Sequence, residues 1–330
     1  MEDIMNNQIS KILNIEKPII QGPMFWLTNA EFVATVSNSG ALGVLGINAG
    51  QYEPTKSINK TIEQMREQIK KTQKLTNKPF GLNLVLNDEP DKDIFAEPMI
   101  KLMIQEKVPV AVIYSTKYIP KWFNMLKENH IKIVYRPATP TKNVVEEAIQ
   151  KGIDVLVATG FDEGGTIPDH AVGTFSAIPY LDDIVNKRVP LMAAGGIVDK
   201  RTTKAALDLG ADGIFVGTAF LATKESPMSD KIKTLLTKHD AYDELLFKAL
   251  PKYYRSIPGV LPEHLVELSE VGRTNKEVWN AANGYGGMRT GMLLGDLENG
   301  YASFGLGLSM IHEITTVNKV IEELYNGFNN

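Results

Sequence analysis

Cysteine is absent from all 330 residues. That removes disulfides, thiolate metal sites and every mechanism built on a cysteine nucleophile. Histidine is scarce, at five residues, so imidazole acid–base chemistry has few possible seats. No sign of charge dominates: 35 Lys and Arg against 39 Asp and Glu leave a formal −4. Without a broad basic field a nucleic-acid partner is not expected, and the lysines of Lys70-Lys71 and Lys74 sit among polar neighbours on a predicted helix. Long apolar runs are missing too. The stretch Met1 to Glu16 mixes acidic and amide residues with a few apolar ones, which reads as neither signal peptide nor membrane span, and the expected location is the cytoplasm.

What is present is an ordinary globular composition, 43% hydrophobic and 22% charged, which disfavours disorder and coiled coil. Apolar runs bounded by Gly and Pro recur with helical segments between them, as in a parallel sheet covered by helices. Strands are expected near Pro18–Gln21, Leu42–Leu45, Phe80–Leu86, Val110–Tyr114, Ile131–Tyr135, Val155–Ala158, Pro190–Ala194 and Gly213–Val216. That count closes an α/β (β/α)8 TIM barrel. Helices over Asn29–Ser39, Lys142–Lys151 and Arg201–Leu209 are each followed by a glycine, Gly40, Gly152 and Gly210, suited to a left-handed C-cap. Residues 152–160 and 210–218 echo one another, either as an internal repeat or as two instances of a capping glycine before a buried strand. The expected organisation is a barrel over residues 1–223, a helical insertion or lid over its mouth from 224 to 290, and a C-terminal segment, 291–330. The last ends in an apolar-faced helix from about Leu306 to Leu324.

The most informative stretch is Ala193-Ala194-Gly195-Gly196-Ile197, followed after a helix by Val216-Gly217-Thr218. Two short strands there give out into Gly-rich turns, leaving backbone N–H groups available where a Cβ would otherwise block a phosphate. In a closed α/β barrel the loops after the last two strands are the usual phosphate site. The expected ligand is a phosphorylated cofactor; the alternative for Gly195-Gly196 is a tight turn alone.

Five segments, taken in order, carry a resemblance: Gln21-Gly22-Pro23-Met24, Phe80-Gly81-Leu82-Asn83-Leu84, Gly160 through Gly165, Ala193 through Ile197, and Gly217-Thr218-Ala219-Phe220-Leu221. Together they resemble the nitronate monooxygenase family, formerly 2-nitropropane dioxygenase, which includes the flavin-dependent enoyl-ACP reductases. The likeness runs from about residue 17 to 225, then weakly through 295–300. It implies a TIM barrel binding FMN non-covalently. The phosphate would rest on Gly195, Gly196, Gly217 and Thr218, with Gly160 beside them, and the ring system against Gly22, Pro23, Met24 and Asn83. The Asn83 amide offers both donor and acceptor to a flavin edge or ribityl hydroxyl, or else satisfies a backbone group at the strand end. Phe25 and Trp26 are either walls of a dry flavin pocket or plain core.

The loop after the sixth strand departs from the family. Where relatives read Glu-Ala-Gly-Gly-His, with the histidine as acid/base, this chain reads Asp162-Glu163-Gly164-Gly165-Thr166. A threonine hydroxyl cannot act as a base near neutral pH unaided. His170, four residues on, is the one histidine expected on a barrel-top loop, with Asp169 to orient it; its alternative is a solvated loop residue. Thr166 is then a hydrogen-bond donor to substrate or flavin. Asp162 and Glu163 read as a loop-anchoring pair, and no metal-ligand spacing is present. Arg136 is an anion partner inside the mouth or a surface ion pair. Tyr253, Tyr254, Arg255, Tyr285 and Arg289 are lid candidates, with Gly286 and Gly287 signalling mobility.

The resemblance implies an FMN-dependent oxidoreductase that oxidises alkyl nitronates with O2 to carbonyl compounds and nitrite. A second reading keeps the flavin but uses NAD(P)H to reduce an enoyl thioester or a quinone. A third is a flavin- or phosphate-binding barrel without turnover. Inosine monophosphate dehydrogenase-like chemistry needs the missing cysteine. Exposed helices permit a homodimer without specifying one.

Overall fold

The computed structural model describes residues 7–329; the part of the N-terminal reading that falls on residues 1–6 lies outside the described residues. After α1 (Gln8–Leu13) the chain runs through eight strand–helix units: β1 (Ile19–Gln21) and α2 (Ala30–Asn38), β2 (Gly43–Leu45) and α3 (Ile58–Leu75), β3 (Phe80–Val85) and α4 (Ala96–Gln105), β4 (Val110–Ser115) and α5 (Pro120–Glu128), β5 (Lys132–Pro137) and α6 (Lys142–Gln150), β6 (Val155–Thr159) and α7 (Thr174–Val185), β7 (Leu191–Ala194) and α8 (Lys200–Asp208), β8 (Gly213–Val216) and the short α9 (Thr218–Leu221). The strands form one eight-stranded parallel sheet in which β1 pairs with β8 and each later strand with its sequence neighbour. This is the expected (β/α)8 barrel. Gly40, Gly152 and Gly210 take φ of +89°, +79° and +110°, the left-handed cap that glycine adopts without strain.

The barrel closes between β1 and β2 by little more than the Ile20–Leu42 bridge. Gln21 completes the seam. Its side chain is 0% exposed, and Oε1 accepts the Val44 N–H at 2.9 Å, a side-chain rung where the two backbones diverge. Alternation sorts the strand residues. Val44, Val110, Val112, Val134, Val155, Val157, Met192 and Phe215 fill the interior, joined by Ile9 and Leu13 of α1. Ala111, Ile113, Ile133, Tyr135, Leu156, Leu191 and Ile214 face the helices.

Beyond β8 lie α10 (Asp230–Leu236), β9 (Leu245–Lys248), β10 (Tyr253–Ser256), α11 (Val260–Glu270), α12 (Asn275–Ala281), α13 (Tyr285–Met288), a π turn over Arg289–Leu293 and α14 (Val317–Tyr325). The excursion is therefore not purely helical: β9 and β10 pair as an antiparallel hairpin. It has its own core, built from Phe247, Tyr254, Leu265, Val278, Met288 and Met292 together with Trp26 and Leu27 of the β1 loop and Tyr301, Phe304 and Leu308 further on. The helix expected from Leu306 is also corrected. A 3₁₀ turn covers Leu306–Met310, and α14 starts only at Val317, where Thr316 Oγ1 accepts the Lys319 N–H. Val317, Val320, Ile321 and Leu324 then share one buried face against the outer barrel core, a spacing of three and four that a helix satisfies. No helix among the described residues is long and apolar enough to cross a membrane.

Candidate active site

At the C-terminal end of the strands a cavity open to solvent is lined by β3, β4 and β5, by the loops after β1, β6, β7 and β8, and by α13, the π turn and Ser303, Gly305 and Gly307.

Gly22, Pro23, Met24, Asn83, Thr166, Gly195, Gly196, Gly217 and Thr218 all line this cavity. Gly22 is small for a reason: a Cβ would sit 2.9 Å from Phe215 Cε1, the ring beneath it. Gly195 and Gly196 take φ of +105° and +72°. Among the described residues no protein acceptor takes the backbone N–H of Gly195, Gly196, Gly217 or Thr218. A Cβ on Gly217 meets nothing within 4 Å. Unpaired amides around open space are what a phosphate dianion requires. Asn83 satisfies a backbone group, the alternative given for it. Its Nδ2 donates to Val112 O at 3.0 Å, which leaves Oδ1 for a ligand.

Two expected site residues lie elsewhere. Gly160 is not in the cavity wall; a Cβ there would be 2.4 Å from Thr174 N, so it serves close packing of β6 against the start of α7. His170 is exposed and outside the cavity. Phe161 N–H donates to Val172 O at 2.8 Å and Asp169 N–H to Thr139 Oγ1 at 2.9 Å, which tie the loop outward. Thr166 stays in the wall but not as a donor. Tyr254 O–H donates to Leu250 O at 2.8 Å, so the hydrogen in the 3.2 Å contact between Thr166 Oγ1 and Tyr254 Oη comes from threonine. What Thr166 offers the cavity is a lone pair.

The carboxylate pair divides. Asp162 anchors the loop, its Oδ2 accepting the Thr174 N–H at the start of α7. Glu163 ties the loop to β5 through Arg136, but from within the cavity wall. It lines the cavity, 11% exposed, in an ion pair with Arg136, whose guanidinium lies 5.2 Å from the Tyr114 ring centroid. Only half of each group is used: Glu163 Oε1 and Arg136 Nε are buried without a hydrogen-bond partner. Burial pushes the Glu163 carboxyl up to about 7, against the opposing pull of Arg136 and Arg255. The sequence signal was the single substitution of Glu for the family's Ala, too slight to assign.

Of the aromatics, Phe25 lines the cavity with its ring tilted against that of Tyr285, also a lining residue, at 4.7 Å between centroids. Trp26 does not; it is core of the excursion, at φ +68°, beneath Arg289 at 5.6 Å. Arg289 Nη1 in turn donates to Tyr52 O at 2.5 Å, tethering the π turn to the β2 loop. Ser303, Gly305 and Gly307, unforeseen, form a strap across the cradle. Gly165 N–H donates to Ser303 Oγ at 2.8 Å, Gly305 N–H to Thr218 Oγ1 at 2.9 Å and Leu306 N–H to Asp162 O at 2.9 Å.

Behind the β6 loop, Arg255 Nη2 donates to Phe161 O at 2.7 Å, and its Nε lies 3.9 Å from Glu244 Oε2, both side chains 3% exposed. Burial pushes Glu244 up to about 8 although Arg255 opposes it. A carboxyl raised above its unfolded value of 4.5 supports folding fully below that value and loses its contribution as pH climbs through 8. Glu244→Gln therefore matches the parent in urea unfolding at pH 5 and becomes the more stable protein at pH 9. Parallel pH profiles for the two contradict this.

A family model described as nitronate monooxygenase matches residues 6–327. A probable nitronate monooxygenase of Staphylococcus haemolyticus is 35% identical over 270 residues, 69% of this chain and 71% of the relative. Among solved structures, FabK from Thermotoga maritima superposes with a TM-score of 0.84 at 29% identity, covering 98% of this chain and 96% of that one. A nitroalkane oxidase from Streptomyces ansochromogenes shares the fold, with a TM-score of 0.75 at 21% identity over 96% of each chain.

Proposed function

The chain belongs to the nitronate monooxygenase family, and on that footing we propose that it is an FMN-dependent oxidoreductase that oxidises alkyl nitronates with O2 to carbonyl compounds and nitrite. The observation that carries this reading is the continuity of an amide-lined phosphate cradle with an apolar chamber that ends on one ion pair. Bound FMN would supply the electron-transfer chemistry, accepting electrons from the nitronate and passing them to oxygen.

The protein's share is placement. Gly195, Gly196, Gly217 and Thr218 would hold the phosphate through main-chain amides, with the strap at Ser303–Gly307 closing over it. Gly22, Pro23, Met24 and Asn83 would carry the ring system. Phe25, Tyr285, Met288 and Met292 keep water from the opposite side, and the Arg136 cation suits the negative charge of a nitronate.

The experiment is anaerobic reduction of the purified protein after loading with FMN. Propionate 3-nitronate is expected to bleach the flavin faster than NADH does. Bleaching by NADH alone assigns the chain instead to the pyridine-nucleotide-dependent reductases acting on an enoyl thioester or quinone. A protein that takes up no FMN refutes both readings.

A further inference from the structure

The family's imidazole is missing from this chamber. Its position holds Thr166, whose hydrogen is committed to Tyr254, and His170 is outside. Among the described lining residues there is no histidine, lysine or aspartate, and the ionisable side chains are Tyr114, Arg136, Glu163 and Tyr285. A buried phenol is a weak acid, and Tyr114 is pushed above its usual range by burial. A guanidinium does not give up its proton. Glu163 remains.

Resting on the flavin-oxidoreductase reading, we propose that Glu163 is the chamber's proton-transfer group: it takes the α-proton of a neutral nitroalkane on Oε1 while Arg136 holds Oε2. The half-used ion pair supports this. A purely structural pair in so dry a place would be expected to satisfy both oxygens, because each unpaired buried polar atom costs about 1–3 kcal/mol. Here Glu163 Oε1 and Arg136 Nε both lack partners although their side chains line the cavity; both atoms are shut from its surface, so a turn of the carboxylate is what would present Oε1 to a substrate proton.

The step balances without any oxidant. The substrate's C–H bond breaks and an O–H bond forms on Glu163. The released electron pair forms the C=N bond, and the negative charge comes to rest on the nitro oxygens. A neutral nitroalkane and a carboxylate become a nitronate anion and a carboxylic acid, which then loses its proton to solvent. The nitronate is the substrate of the oxidation proposed above, so Glu163 extends the substrate class from preformed nitronates to their neutral parents.

The charged and titratable groups around Glu163 are Arg136 on β5, Tyr114 on β4, Asp162 beside it, Arg255 on β10 with Glu244 behind, and Tyr285 on α13. Burial outweighs the two cations and leaves the carboxyl near 7, where a general base is most effective. Ionisation of a neutral nitroalkane is therefore expected to rise with pH through about 7 and then level off.

The test is exchange of the α-protons of nitroethane for deuterium, followed by NMR under anaerobic conditions on the FMN-loaded protein. Glu163→Gln is expected to slow exchange by about 100-fold or more, the usual worth of a positioned base. Oxidation of preformed propionate 3-nitronate should fall far less than exchange does, because no carbon proton is removed there, and its KM should drop because Arg136 is no longer neutralised by the carboxylate. Glu163→Asp recovers part of the exchange. In infrared difference spectra of the protein without substrate, a protonated-carboxyl band present in the parent and absent from Glu163→Gln disappears near pH 7. The proposal is overturned if the parent catalyses no exchange, if Glu163→Gln exchanges as the parent does, if it loses both reactions in parallel, or if that band is missing. Failure of the flavin reading shows separately, as a parent whose flavin no nitronate reduces.

Discussion

Gly217→Asp gives a folded protein that no longer retains flavin. The backbone there has φ −111°, which any residue can adopt, and the new Cβ meets nothing within 4 Å, so the barrel has no reason to change. What changes is the cradle, where a carboxylate now stands in the space expected for a phosphate. Two like charges about 4 Å apart at an effective dielectric near 20 repel by about 4 kcal/mol. That is a loss of about 1,000-fold in affinity. Flavin absorbance after gel filtration, with a thermal melt of the flavin-free protein beside it, reads both halves. The neighbouring loop gives the opposite result: Gly195→Ala places a side chain at φ +105° and 2.7 Å from Thr174 Oγ1, and loses about 1–3 kcal/mol of stability. Retention of flavin by Gly217→Asp at parental affinity removes the phosphate from these loops.

The second large effect is on stability and concerns two adjacent glycines. A Cβ on Gly164 would lie 2.4 Å from the carbonyl carbon of Phe304 and 2.7 Å from Gly305 N. Those are backbone atoms of the strap, and no rotamer relieves the clash. Gly164→Ala must lift the strap from the β6 loop, breaking the Gly165–Ser303 and Leu306–Asp162 hydrogen bonds. The overpacking and lost bonds together cost about 3 kcal/mol or more. Gly165 has open space around it and only its φ of +77° to object, so Gly165→Ala costs about 1 kcal/mol. Urea unfolding of both variants measures the contrast. Equal, small losses mean that the strap does not rest on Gly164.

The barrel was legible because its signals are local and redundant. Gly213–Val216 is a strand at the predicted bounds, and the other seven fall within two residues at either end, since buried parallel strands are short apolar runs and glycine ends three of the helices before them. The glycines of the cradle were legible for the same reason. The excursion was not. Its hairpin pairs Leu245–Lys248 with Tyr253–Ser256, segments whose alternation is masked because Tyr254, Arg255 and Ser256 are all buried in succession. The helix expected from Leu306 failed because Gly305 and Gly307 serve the strap: a Cβ on Gly307 would lie 2.7 Å from Gly196 O.

In the site itself, resemblance directed attention to an imidazole, and the nearest one in sequence was His170. Three hydrogen bonds that no local pattern announces turn it away: Phe161 to Val172, Val172 to His170 and Asp169 to Thr139. Glu163 was passed over because sequence gives its neighbour but not its enclosure. Adjacent carboxylates diverge on a loop, and only the fold shows that one caps a helix while the other meets Arg136.

The hydrogen bond from Arg255 to Phe161 O joins the hairpin to the segment that carries Glu163. Arg255 is itself one of the cations that hold the Glu163 carboxyl down. Glu244 behind it, pushed up to about 8, is mostly neutral where Glu163 titrates and leaves that cation unopposed, so replacing Arg255, which is not among the residues that line the chamber, by a neutral residue makes Glu163 less acidic. The working acidity of the reaction vessel can thus be set from a peripheral ribbon, with every residue of its wall unchanged.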